Sequence, residues 1–363
     1  MALLRLAGDH RGRDNFLYFA DSKLLAAANA ALYLQVPLLL AGEPGCGKTD
    51  FAWYAAKALA HALGEPSPED ALPLECYIHS DSTATELLYH YDAMARFAEA
   101  HDPGGRSERR DPRHHMELAP FGRALMSQRR QVVLIDEIDK APRDLSNDLL
   151  RELDQGHFVI KEVPRSAKDT LPDPNNDASP RDGVIQLQRN MFRPVDPEKA
   201  KGRANQADRP RYRDKPLVIV TSNAERQLPE AFLRRCVYHY IDFPSEKALQ
   251  DILNHRLPSA GQTDGDEALA PHVTPQLRTQ AIQDGIALVA GLRSESKPLG
   301  KKPGTAEIIG WLKTLLALGS PADLEKLSEL AAQPRSKGKT NWLDLPGLHC
   351  LVKLKADLDL LRA

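Results

Sequence analysis

Residues 42–49 read Gly-Glu-Pro-Gly-Cys-Gly-Lys-Thr, a complete G-x-x-x-x-G-K-[ST] phosphate loop, and no other run constrains the fold as strongly. Such a loop works when a buried strand delivers the chain to it and a helix carries the chain away. The apolar run Val36-Pro37-Leu38-Leu39-Leu40 supplies the strand, and Asp50 through Leu63 reads as the helix. Glycines 42, 45 and 47 let the backbone bend so that successive N–H groups converge, as dense phosphate charge requires. Gly42, Glu43, Pro44, Gly45, Cys46 and Gly47 then form a cradle for a nucleoside triphosphate. Lys48 reaches the terminal phosphates and Thr49 offers a hydroxyl to magnesium. Asp50 opens the helix, whose positive N-terminal end points at the nucleotide. Cys46 reads either as a small filler or as a redox handle in the loop.

Similar strands recur. Leu74 to His79 reads as a second strand, Gln131 to Ile135 and Leu217 to Thr221 are short and apolar, and Asp21 to Tyr33 and Thr83 to Ala100 have helical spacing. Apolar strands alternating with helices predict an α/β fold built on a parallel sheet covered on both faces. After Phe243-Pro244 the pattern turns helical, at about 245–257, 275–290, 305–318, 323–332 and 347–361. That predicts a separate, small all-α domain. Two polar stretches interrupt the order. His101 to His115 (HDPGGRSERRDPRHH) is locally basic and punctuated by Gly and Pro, so it reads as an exposed loop. Pro164 to Pro216 is too long for an ordinary loop; it is either disordered or holds a small element such as Val184–Leu187.

The chain of 363 residues is 27% charged and 42% apolar, ordinary for a soluble globular protein. A net charge of −2 argues against a whole-surface nucleic-acid binder. Four cysteines, at 46, 76, 236 and 350, lack C-x-x-C spacing, which argues against a zinc site and a disulfide framework and for a reducing compartment. No apolar run approaches a membrane span, and Met1 to Gly12 lacks a signal-peptide core. The expected location is cytoplasmic.

Further chemistry sits at strand ends. Val132 to Ile135 ends in Asp136-Glu137, delivered to the crevice at the carboxyl edge of a parallel sheet. Asp136 suits the magnesium shell, and Glu137 suits orienting and polarising an attacking water. Leu217 to Ser222 ends in Asn223, placed to hold the same water or touch the terminal phosphate; an ordinary strand-ending Asn is the alternative. Leu228 to Cys236 reads as a short helix ending in Arg234-Arg235. Such a pair either forms surface salt bridges or projects a guanidinium into a neighbouring subunit's site.

In order and spacing, GEPGCGKT, VVLIDEID, IVTSN and LPEAFLRRC resemble an AAA+ ATPase. HSDSTATELLYHYDAMARF, ELAPFGRAL and KKPGTAEIIGWL resemble the MoxR branch, and the likeness runs from about Tyr18 to the last helix. This resemblance implies a doubly wound P-loop core over 1–243 and a helical lid domain over 244–363. It implies inserts at about 86–121 and 158–216 that point towards a ring pore or a client. It implies ATP with Mg2+, Asp136 and Glu137 as the Walker B pair, Asn223 as sensor 1, and Arg235 before Arg234 as the finger. It also implies a homo-oligomeric ring, expected as a hexamer, and a protein client, often one with a von Willebrand factor type A domain. The lid's usual sensor 2 arginine is missing from KKPGTAE, leaving Lys301 or Lys302 to substitute, or no such role.

A different expectation is a nucleic-acid-directed motor of a restriction or phage-defence assembly. Arg106, Arg109, Arg110 and Arg113 in one insert, with Arg203, Arg209, Arg211 and Arg213 in the other, support it. Interleaved acids and scarce aromatics favour a solvated charged loop instead.

Overall fold

The computed structural model describes residues 6–12, 16–100, 115–127, 129–156, 158, 160–162, 215–258, 269–294, 299–333 and 341–362. The basic stretch 101–114, most of Pro164 to Pro216 with Val184–Leu187, and all eight insert arginines lie outside the described residues.

The chain forms two compact units. One comprises Met1–Gly8, Asp21–Ala41 and Ala52–His239; the other comprises Asp9–Ala20, Gly42–Phe51 and Tyr240–Ala363. A five-stranded sheet carries the α/β part, in the order β2 (Leu74–Tyr77), β5 (Val132–Asp136), β6 (Leu217–Ser222), β1 (Leu38–Gly42), β7 (Val237–Ile241). β2, β5, β6 and β1 run parallel, with Cys76 opposite Ile135, Leu134 opposite Ile219, and Ala41 opposite Ser222. Apolarity tracks position in the sheet. β1 and β6 are buried along their whole length and β5 up to Asp136, which is why their sequences show no alternation. β7 borders β1 at the edge and alternates, with Tyr238 and Tyr240 turned outward. Its Val-Tyr-His-Tyr-Ile run is not one of the fully apolar segments that mark strands in the sequence.

Helix Ser22–Leu34 precedes β1, and helix Lys48–Leu63 follows the phosphate loop, starting before the expected Asp50. Val36 and Pro37 precede β1 rather than belonging to it. The expected helix from Thr83 to Ala100 is corrected: it breaks into Ala84–Leu88 and Ala93–Ala100 around a strand, β3 (Tyr89–Tyr91). Tyr-His-Tyr favours a pleated surface, and β3 pairs antiparallel with β4 (Met116–Leu118). Thr83 starts the first piece with a capping box, exchanging bonds with Glu86. Leu39, Val133, Ile135, Val218 and Val220 of the sheet share a core with Leu88, Phe121, Leu145 and Phe232.

The C-terminal region is helical, as expected: Glu246–Arg256, Pro275–Leu292, Thr305–Leu318 and Pro321–Ala332. The last expected helix is two, Leu348–Leu351 and Lys355–Arg362, divided where buried Val352 turns extended. Leu253, Ile282, Val289, Leu312, Leu327 and Leu351 close around Trp311, whose indole N–H donates to the Pro346 carbonyl at 2.7 Å. No described helix is long and apolar enough to cross a membrane.

Candidate functional site

β1 hands the chain to the phosphate loop at Gly42, at the carboxyl edge of the sheet. Gly45 and Gly47 take φ of 76° and 89°, in the left-handed region that glycine adopts without strain. Lys48 is buried, and its Nζ donates to the Gly42 and Glu43 carbonyls at 2.9 and 3.0 Å. Those bonds curl the loop around its own cation. Thr49 and Asp50 lie in the first turn of helix Lys48–Leu63, whose positive dipole end favours an anion. Burial, its largest cause, pushes the Cys46 thiol up from its ordinary value. Cys76 and Cys236 are pushed up to about 12 by burial. Protonated thiols are poor nucleophiles, so Cys46 fits the filler reading.

In the same unit the segment before helix Thr305–Leu318 meets the loop. Ala306 N donates to the Gly45 carbonyl at 3.3 Å. A Cβ on Gly304 would stand 2.5 Å from the Pro44 carbonyl oxygen, so this close approach requires glycine. Lys301 is half exposed, with Nζ 4.0 Å from Glu307. Lys302 is half-buried, with no hydrogen bond or ion pair among the described residues. The cation that does meet the loop is Arg293, whose Nη2 donates to Glu43 Oε2 at 2.8 Å. Nothing in its sequence position, at the end of a helix and before SESKP, marks it for that contact.

In the other unit, β5 and β6 end side by side. Thr221 Oγ1 donates to Asp136 Oδ1 at 2.5 Å and accepts from Glu137 N at 2.8 Å, tying the two strand ends together. Glu137 has φ 55° and ψ 50°, a left-handed conformation that costs a non-glycine residue about 1 kcal/mol or more. That turn points its carboxylate to where Oε1 accepts from Asn223 Nδ2 at 3.1 Å and Oε2 accepts from Lys140 Nζ at 2.5 Å. The bond to Glu137 raises the Lys140 pKa. Buried Asp139 sits beneath: its Oδ2 accepts from Asn223 N at 3.1 Å and Glu225 N at 3.0 Å. Thr221 and Asp139 are the positioning residues that sequence reading misses. The signal was present, a polar residue inside an apolar strand and a third acid after Asp136-Glu137.

Asp136, Glu137 and Asn223 are therefore brought together, while Arg234 and Arg235 stand apart from them in ion pairs of their own. Arg235 Nε donates to Asp154 Oδ2 at 2.7 Å, and Arg234 pairs with Glu230. Both pairs are exposed, where such contacts are worth about 0–1 kcal/mol. Either guanidinium can exchange its partner at small cost.

A family model described as AAA domain (dynein-related subfamily) matches residues 37–236. The matched span holds the phosphate loop, Asp136, Glu137, Asn223 and both arginines. No curated protein matches the sequence.

Proposed function

The chain belongs to the AAA domain family, dynein-related subfamily, and as such is a P-loop ATPase; from that premise we propose that it hydrolyses ATP at subunit boundaries of a MoxR-like ring, expected as a hexamer, to remodel a protein partner. The observation that carries this reading is the bond between the Glu137 carboxylate and the Asn223 amide, held at two strand ends by Thr221 and Asp139. A carboxylate fixed beside an amide in this way can orient a water and accept its proton. Lys48 and the N–H groups of the loop between Gly45 and Lys48 bind the phosphates, and Asn223 senses the terminal one. Thr49 and Asp136 offer the hard oxygen donors that magnesium takes, and would hold an ion that offsets phosphate charge. Residues 1–243 act as the catalytic core and 244–363 as the lid. A partner with a von Willebrand factor type A domain agrees with the MoxR resemblance.

In this account Arg235 completes the neighbouring subunit's site, leaving its weak pair with Asp154 to do so, and Arg234 is the second choice. Arg235→Ala is expected to lower ATP turnover by about 10³-fold or more while leaving nucleotide affinity intact. Mixing Arg235→Ala with Lys48→Ala protein restores turnover at hybrid boundaries that pair an intact loop with an intact arginine. Phosphate release measured across mixing ratios checks this; activity that never exceeds the sum of the separate proteins removes the role in trans.

A further inference from the structure

We propose that Arg293 is a positioning residue for nucleotide binding, which neutralises Glu43 inside the phosphate loop and fixes the loop's shape before phosphate arrives. The inference rests on the reading that this loop takes ATP.

Three features of one unit carry it. First, the Arg293 side chain is only 12% exposed, and its guanidinium is engaged at two nitrogens and one face. Nη2 donates to Glu43 Oε2 at 2.8 Å, Nη1 donates to the Pro303 carbonyl at 2.5 Å, and the face lies 3.7 Å from the Phe243 ring centroid. Fork and face together suit arginine and exclude lysine as an equal. Second, Gly304, which caps the start of helix Thr305–Leu318, has no room for a side chain. A side chain at Gly304 would meet the Pro44 oxygen at 2.5 Å and Glu307 Oε2 at 2.7 Å. The positive charge arrives instead from the end of helix Pro275–Leu292. Third, the Pro303 segment is held from its other end. Buried Asp357 accepts from Gly300 N at 2.7 Å and Lys301 N at 3.1 Å. Arg293 thus binds Glu43 from a braced support, not from a free loop.

The physical need is clear. Glu43 puts a carboxylate into a loop built to receive polyphosphate, and an uncompensated carboxylate there repels the ligand. Paired with a shielded guanidinium, it becomes a neutral strut that holds the loop open while Lys48 keeps its charge for the phosphates. Removing the arginine alone uncovers the repulsion; removing both charges abolishes it.

ATP binding to the full chain, by calorimetry, tests this on the wild type, Arg293→Ala, Glu43→Gln and the double variant, with steady-state kinetics and thermal unfolding alongside. Arg293→Ala is expected to weaken ATP about tenfold, the loss appearing in KM more than in kcat. Glu43→Gln added to it recovers most of that loss. Arg293→Lys gives a smaller rise and carries the same comparison if Arg293→Ala does not fold. An Arg293→Ala protein with wild-type affinity overturns the proposal. So does a double variant as weak as Arg293→Ala, since a purely structural arginine gains nothing from losing Glu43. A wild type that binds no ATP removes the ATP reading itself, and the inference with it.

Discussion

Glu137→Gln reduces ATP turnover by about 10²–10⁴-fold and leaves ATP affinity near the wild-type value. The replacement has the same length and one fewer charge. Its amide oxygen can still accept from Asn223, and its N–H can still donate to Thr221, so the left-handed turn at φ 55° keeps both of its anchors. What disappears is the capacity to take a proton from water. Lys140 also loses its anionic partner and becomes a solvated cation, a small change at an exposed position. Phosphate release at saturating ATP, set beside a direct binding measurement, separates the two effects. Turnover unchanged in the variant would falsify the assignment of Glu137 as the group that activates water.

Lys48→Ala has the second large effect, on binding instead of chemistry. Lys48 is a buried cation whose donors fasten two loop carbonyls, at Gly42 and Glu43. Alanine removes the loop's internal tie and the charge that meets the phosphates together. Charge-assisted bonds are worth about 1.5–3 kcal/mol each, so ATP affinity is expected to fall about 100-fold or more. Calorimetric titration with ATP and magnesium measures it. Affinity within about threefold of the wild type would mean that the phosphates are held elsewhere.

The parts of the fold that were legible in the sequence are those where one physical requirement dominates. Buried parallel strands are apolar over most of their length, so β1, β5 and β6 stand out, and the phosphate loop follows the first of them. The polar residues at their ends, Asp136, Glu137 and Asn223, follow from the same geometry. What escaped depended on partners distant in sequence. β7 is half exposed and earns its strand from a neighbour, not from its own composition. β3 cuts an apparently helical run because β4, some 25 residues later, supplies its hydrogen bonds. Thr221 and Asp139 hold the catalytic candidates through bonds spanning more than 80 residues. Arg293 reaches Glu43 across 250. The absent arginine in KKPGTAE was visible, and the close approach of Gly304 to the Pro44 carbonyl was not.

The proposed completion of nucleotide sites between subunits ties turnover to assembly. The native mass of Glu137→Gln protein, with and without ATP and magnesium, decides this, because the variant is expected to hold ATP and turn it over only slowly. The expected result is a nucleotide-dependent shift to a closed assembly of roughly six copies. A protein that binds ATP and stays a monomer at every concentration tested would contradict it.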